Sequence, residues 1–178
     1  MKKWLALLLT LVVAISAQGC VSPGSGLRAY SNQYEGYEFM YPNGWTEVKV
    51  PGSADVVFHD IVHETENVSV VISNVPDGKT LQDLGTPTEV GYKLSKSFNA
   101  MAEDSDVELV NAQEIDAGEK TYYILEYVAK LPSGMRHNLA SVIVRRGRLF
   151  TFNASTPESR WERVKDLMLQ SVASFKVA

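Results

Sequence analysis

Two hydrophobic periods follow one another along this chain, and their order predicts the fold. In the first half, apolar residues recur at every second position, most clearly at Val68, Val70 and Ile72, the spacing of a strand with one buried face. Pro42-Asn43-Gly44 is a turn sequence, so the segments on either side of it are predicted to form a hairpin. The predicted strands here are Tyr37–Tyr41, Trp45–Val50, Asp55–Asp60 and Asn67–Ser73.

The period changes to that of a helix between Pro87 and Ala102. Apolar side chains then recur at spacings of three and four, which places them on one stripe of a helix: Val90, Leu94, Phe98 and Met101. Thr86 precedes Pro87 and supplies an N-cap, while proline suits the first helical position. The sequence therefore predicts an amphipathic helix that packs against the sheet.

The second half repeats the order of strands followed by a helix. Thr156-Pro157 resembles the first cap and opens a closing helix with Trp161 and Met168 on its apolar stripe. Hairpin-length connections favour antiparallel neighbours. We therefore expect an α+β fold, a central and largely antiparallel sheet flanked by helices. The predicted strands are Glu108–Asp116, Lys120–Ala129, Met135–Arg145 and Leu149–Ala154.

The N-terminal residues have the pattern of an export signal. Lys2 and Lys3 precede an apolar stretch that ends at Ala17, and Gly19 stands before Cys20, the only cysteine. As a helix the stretch would span roughly 21 Å, short of a hydrocarbon core of ~30 Å. We predict a lipoprotein signal peptide over residues 1–19 and lipidation of Cys20. A secretory signal cut nearby, or an uncleaved anchor, is the alternative.

The predicted mature protein consists of a tether and one domain. Residues 20–33 are rich in small residues and turn formers, so they are predicted to be a lipidated N-terminus and a flexible tether. Residues 34–178 are of a length suited to a single domain. Loss of Lys2 and Lys3 changes the formal charge from −4 to −6, which disfavours binding to nucleic acid. A single cysteine excludes an internal disulfide.

Few residues here suggest chemistry. The chain has no Gly-x-Ser-x-Gly elbow and no glycine-rich phosphate loop, so we expect no enzyme. The turn with His59, Asp60, His63 and Glu64 has the ligand types of a zinc or manganese site, although a solvated polar turn has the same composition. Residues 145–148, Arg-Arg-Gly-Arg, suit an acidic partner or a solvated hairpin tip.

A set of short matches in order along the chain resembles one known family, the PsbP family of extrinsic photosystem II proteins. The similarity is to its cyanobacterial lipoprotein branch. The matching residues are Gly36-Tyr37-Glu38-Phe39-Met40-Tyr41-Pro42, Trp45, Asp55-Val56-Val57-Phe58, Asp60, Glu66-Asn67-Val68-Ser69-Val70, Leu84-Gly85, Pro87, Glu89-Val90, Tyr122-Tyr123, Leu125-Glu126-Tyr127, Arg136-His137, Gly147-Arg148-Leu149-Phe150, Trp161 and Ala173-Ser174-Phe175.

The resemblance implies an α-β-α sandwich and a function without catalysis. The protein would be a monomer, held to the lumenal side of the thylakoid membrane by its lipid. There it would dock on photosystem II core subunits and support their assembly or the oxygen-evolving complex. Plant relatives retain calcium and chloride, but Cys20 separates this chain from those unanchored members, so we do not expect that role to transfer. A metal-binding lipoprotein, with zinc, manganese or calcium, and a general lipoprotein scaffold are the alternatives.

Overall fold

The computed structural model describes residues 26–52, 54–76, 78–101 and 104–178. The predicted signal peptide and Cys20 lie outside these residues. The elements in chain order are β1 (Leu27–Asn32), β2 (Tyr37–Pro42), β3 (Thr46–Glu47), β4 (Ala54–His59), β5 (Asn67–Asn74), a 3-10 turn (Gln82–Leu84), α1 (Pro87–Met101), β6 (Asp106–Ala117), β7 (Lys120–Leu131), β8 (Gly134–Arg145), β9 (Arg148–Pro157), a 3-10 turn (Glu158–Arg160), α2 (Trp161–Ala173) and β10 (Lys176–Val177).

Seven strands form the larger sheet in the order β3-β4-β5-β9-β8-β7-β6, and their pairings are antiparallel. The predicted strands Asp55–Asp60 and Asn67–Ser73 are confirmed as β4 and β5, which pair with Val57 opposite Ser69. The predicted strands of the second half are also confirmed, and each is extended at one or both ends. β1, β2 and β10 form a separate three-stranded sheet.

The larger sheet lies between two layers because its strands are apolar on both faces. In β7, Tyr123 and Leu125 belong to the core under α1, whereas Tyr122 and Ile124 point to the opposite core. That opposite core also receives Trp161 of α2 and the aromatic residues of the small sheet. The predicted class, a central antiparallel sheet flanked by helices, is therefore confirmed. Among the residues described, no helix has the length and apolar character needed to cross a membrane.

The predicted hairpin across Pro42-Asn43-Gly44 is wrong. β2 pairs with β1 and β10, while β3 pairs with β4 in the other sheet. The reason is that β2 uses its aromatic face to cover the larger sheet. Phe39 lies 4.6 Å from Phe152 and Tyr41 lies 4.1 Å from Phe58, measured between ring centroids. The turn thus carries the chain from one layer to the next.

The predicted tether over residues 20–33 is too long, because Leu27–Asn32 forms strand β1. Its composition of small residues suggested a flexible segment, but Tyr30 supplies the contact that fixes it. The Tyr30 ring is 5.2 Å from both Phe39 and Phe58. Aromatic pairs at such separations add to the stabilisation from buried area. The folded domain therefore begins before residue 34.

Both helices were predicted, but the predicted N-cap is confirmed for α1 and not for α2. Thr86 and Glu89 cap α1 reciprocally, since the Thr86 N–H donates to Glu89 Oε2 at 2.8 Å and the Glu89 N–H to Thr86 Oγ1 at 3.4 Å. The hydrogen bonds that the Thr86 N–H and hydroxyl donate to its carboxylate lower the pKa of Glu89. Phe98, predicted to be buried, is 45% exposed. Thr156 does not cap α2, because it is the buried end of β9 and donates to Glu66 instead.

Candidate functional site, a polar cluster at one end of the sheet

Charged and polar side chains gather where the β4–β5 turn, the start of β8, the end of β9 and the N-terminus of α2 meet. Glu66, His137, Ser155 and Thr156 are all buried there, although each carries a polar group. Burial of such groups is unfavourable unless they are paired. The contacts described below satisfy them.

Glu66 is the buried acid of this cluster, at 2% exposure. Its carboxylate forms an ion pair with Arg160 and accepts a hydrogen bond from Thr156 Oγ1 at 3.2 Å. The hydrogen bond that Arg160 donates to the Glu66 carboxylate raises the pKa of Arg160. The backbone of Glu66 also closes the turn, since its N–H donates to the carbonyl of His63 at 2.7 Å and its carbonyl accepts from Asp60 at 3.0 Å. Glu66 therefore joins the β4–β5 turn to the start of α2.

His137 lies on the same face of the sheet, between two carboxylates. Its Nδ1 is 2.8 Å from Glu158 Oε2, and its Nε2 is 2.8 Å from Glu126 Oε1. The ring stacks on Trp161 with centroids 3.8 Å apart and planes only 8° from parallel. Carboxylates therefore engage both ring nitrogens, and the ring is held flat against the first residue of α2.

Arg136 extends the cluster to the other face of the sheet. Its Nε and one terminal nitrogen donate to Ser155 Oγ at 3.0 and 2.7 Å, and that terminal nitrogen also reaches the carbonyl of Thr65 at 2.5 Å. Burial lowers the pKa of Arg136, and the charge of Glu66 opposes this change. Two faces of the sheet thus hold the β4–β5 turn in place.

The predicted metal ligands lie at the end of β4 and on the turn that follows it. Asp60 Oδ1 accepts from the N–H of Val62 at 2.8 Å, as in a polar turn, and Glu64 is exposed. Within the residues that the structure describes, no three histidine, cysteine or acidic side chains form a group that could hold a metal ion. The geometry gives the set of His59, Asp60, His63 and Glu64 no added support, and metal binding stays a prediction.

The turn also exposes two apolar side chains. Ile61 is 63% and Val62 is 79% exposed, directly beside the polar cluster. The described chain starts at this same end, because the Asn43 N–H donates to the carbonyl of Gly26 and Thr46 pairs with His59. Exposed apolar residues on a rigid turn are suited to contact with another surface.

The predicted basic segment lies at the opposite end of the sheet, around the β8–β9 turn. Arg148 forms an ion pair with Glu35, and Arg145 donates to a backbone oxygen of Ala178 at 3.4 Å. Arg146 is exposed and takes a positive φ of 53° in the turn. Two of the three arginines therefore have contacts within the domain, and pairing with an acidic partner stays a prediction.

Sequence reasoning missed most of the cluster, because its members are far apart in the chain. Glu66 and Arg160, for example, are separated by 94 positions. One signal was present at Glu126, which follows Tyr122 and Ile124 at every second position and so belongs to a core-facing register. A carboxylate in such a register requires a partner. Nothing in the spacing identified His137 as that partner.

This cluster is suited to hold a surface in shape and not to carry out a reaction. Both nitrogens of His137 are engaged by carboxylates, so the ring has no free nitrogen with which to activate a nucleophile. The Ser155 hydroxyl accepts from Arg136 and contacts no described base. The arrangement fixes the turn and leaves its apolar tip exposed.

Comparison with known proteins identifies the family of this fold. The sequence model of the PsbP family matches residues 25–177. The chain belongs to the PsbP family. It is 45% identical over 173 residues to CyanoP of Thermosynechococcus vestitus, with 94% of each chain covered. It is 44% identical over 176 residues to CyanoP of Synechocystis sp., which covers 96% of this chain and 94% of that one.

The relatives extend to a chloroplast protein and to a solved PsbP structure. PsbP-like protein 1 of Arabidopsis thaliana is 33% identical over 175 residues, covering 98% of this chain and 73% of that protein. The solution structure of cyanobacterial PsbP (CyanoP) from Synechocystis sp. PCC 6803 matches with a TM-score of 0.75 and 45% identity. That match covers 91% of this chain and 99% of the other. The arrangement described above, a central sheet between two layers, is thus a PsbP fold.

Proposed function

We propose that this protein is a non-catalytic extrinsic lipoprotein that docks on photosystem II at the lumenal side of the thylakoid membrane. There it supports assembly of the photosystem or stability of the oxygen-evolving complex. The observation that carries the proposal is membership of the PsbP family over residues 25–177, with 45% identity to CyanoP along nearly the whole chain. The polar cluster agrees with a binding role, since its charged groups are committed to each other.

A lipid on Cys20 would favour docking by confinement. Two or more acyl chains give stable anchoring, because each buried methylene contributes about 0.8 kcal/mol. Attachment to the membrane then raises the effective concentration of a partner embedded in it. A small contact surface is sufficient under these conditions, and a monomer can supply it.

The end of the domain that carries Ile61 and Val62 is the proposed docking surface. Gly26 lies at this end, and the six residue-to-residue steps from Cys20 to Gly26 reach at most about 20 Å when extended. The lipid would therefore keep this end near the bilayer. The polar cluster behind the turn holds the two apolar side chains in a fixed position.

Affinity purification from thylakoids tests the proposal. Tagged protein is recovered in mild detergent, and photosystem II core subunits are detected in the eluate. We expect them with the wild type, with a reduced yield for the pair Ile61→Ser and Val62→Ser. Val110→Ser is the matched control, because Val110 is 55% exposed on edge strand β6. Absence of core subunits from the wild-type eluate would overturn the proposal.

Mass spectrometry of the membrane fraction tests the anchor separately. A mature N-terminus at Cys20 carrying a diacylglyceryl group is expected, and Cys20→Ser should move the protein to the soluble fraction. An unmodified Cys20, or a mature N-terminus at another residue, would refute lipidation while leaving the docking test unaffected.

A further inference from the structure

A cavity of about 480 Å³ opens between the C-terminal end of α2 and the hairpin of β6 and β7. Helix α2 packs on β2, β8 and β9. Its C-terminal end therefore leaves part of this face of β6 and β7 uncovered, and the cavity lies there. The walls are mainly apolar, which suits the body of a small ligand. They include Ile115, Tyr122, Ile124, Val172, Ala173 and Phe175.

Ser141 places a hydroxyl group in the wall of this cavity. The residue is only 2% exposed and stands opposite Ile124 in the pairing of β7 with β8. Its hydroxyl has no hydrogen-bond partner among the described residues, whereas Glu66, His137 and Thr156 all have one. No fully buried side-chain oxygen or nitrogen among the described residues lacks a partner, so the Ser141 hydroxyl is open to the cavity and can donate there to a ligand oxygen.

Two lysines stand at the other end of the cavity. Lys120 Nζ donates to the carbonyl of Val177 at 2.5 Å, and Lys176 is exposed, with its Nζ 3.8 Å from Glu38. Glu119 also lines the cavity, so two positively charged side chains lie there with one negatively charged side chain. Both lysines also border a neighbouring cavity of about 420 Å³. They therefore mark the boundary between an apolar space and a more polar one.

We propose that the cavity binds a medium-chain carboxylate with a second oxygen at its far end, such as a hydroxy or oxo acid. Its carboxylate would face Lys120 and Lys176, its chain would lie along the apolar wall, and its far oxygen would accept from Ser141. Ile124, the strand neighbour of Ser141, is four residues from Lys120 along β7, a distance of about 13 Å. An extended acyl chain of medium length matches that span.

Isothermal titration of the mature protein with two probes tests this site. The probes are decanoate and its terminally hydroxylated analogue, each below its micelle-forming concentration. We expect saturable binding at one site, with the hydroxylated probe tighter by a factor of about 2 to 10, the range of one hydrogen bond. Ser141→Ala should abolish this preference.

The charged end is tested with Lys176→Gln. Because the charge is exposed, it should weaken both probes by a factor of no more than about 5. Lys165→Gln is the matched control, because Lys165 is an exposed lysine on α2 that does not line the cavity, and it should change the affinity of neither probe.

Ala173→Phe, at the exposed rim, should block binding, and circular dichroism establishes whether this variant remains folded. Lack of saturable binding by either probe, or binding unaffected by all three cavity variants, would overturn the proposal. The photosystem proposal does not depend on the result.

Discussion

Gly91 lies at a close approach between helix α1 and strand β6, and we expect Gly91→Ala to destabilise the protein. A Cβ atom at Gly91 would stand 2.7 and 2.8 Å from the two Cδ atoms of Leu109 and 3.3 Å from its Cγ. Carbon atoms pack best at about 3.5–4.0 Å. The carbonyl of Gly91 also accepts from the Tyr127 hydroxyl at 3.2 Å, so the helix cannot move away without lengthening that bond.

Two opposing contributions set the magnitude. Alanine favours a helix over glycine by about 0.8–1 kcal/mol, which would stabilise α1. Overpacking of a core costs about 1–3 kcal/mol, and Leu109 has limited freedom because it packs against the core under α1. We therefore expect a net loss of up to about 2 kcal/mol in the free energy of unfolding. The sign is opposite to that expected at an exposed helical glycine.

A double-mutant cycle with Leu109→Ala separates the two contributions. The shorter side chain removes the clash, so Gly91→Ala in that background should be neutral or stabilise by up to about 1 kcal/mol. Urea unfolding, followed by circular dichroism, gives each free energy. Ser97→Ala, at an exposed position of α1, is the control for helix propensity alone. If Gly91→Ala stabilised both backgrounds equally, the close approach would have no energetic consequence and the reasoning would be refuted.

Three further outcomes are expected. His137→Phe keeps a ring against α2 but leaves two carboxylates without their hydrogen-bond partner. Urea unfolding should therefore show a loss of about 2 kcal/mol in the free energy of unfolding, which is in the range of hydrogen bonds to charged groups. An unchanged unfolding midpoint would contradict this role of His137. Glu89→Gln should destabilise at neutral pH, because the folded-state pKa of Glu89 lies below its ordinary value. The stabilising contribution of the Glu89 charge is present above the pKa of the unfolded state and is lost as the pH falls through the pKa of the folded state. The difference in stability between the variant and the wild type should therefore disappear in acid. A difference independent of pH would exclude the charge as its cause. Calorimetric titration with zinc or manganese should distinguish the predicted metal site from a solvated polar turn: saturable heat that His59→Ala removes would establish the site, and a lack of saturable heat in the wild type would refute it.

The sequence predicted those parts of the fold that depend on local pattern. Alternation located β5, hairpin-length connections separated β7, β8 and β9, and Thr86 before Pro87 located the start of α1. These features succeed because the residues that determine them are neighbours in the chain. Thr156 shows the limit of such reasoning. It has the composition of a helix cap, but Glu66, which is 90 positions away, takes its hydroxyl.

The division of the strands between two packed sheets could not be predicted from local sequence pattern, for a related reason. A turn at Pro42-Asn43-Gly44 is compatible both with a hairpin and with a change of sheet, and the flanking strands have the same alternation in either case. The aromatic contacts of Phe39 and Tyr41 with the larger sheet decide between them. The polar cluster was missed on the same grounds, since its ion pairs join elements that only the tertiary fold brings together.

Strand β1 also changes the functional argument. A tether over residues 20–33 would have let the domain turn freely at the membrane, and docking could then have involved any of its faces. With the fold starting at β1, the segment from Cys20 to Gly26 extends at most about 20 Å. A lipid on Cys20 would therefore hold the end with Ile61 and Val62 near the bilayer and keep the β8–β9 turn, at the other end, further from it. A membrane-embedded partner would meet the apolar tip first, which is why variants at that tip, and not at the arginines, are the sharper test of docking.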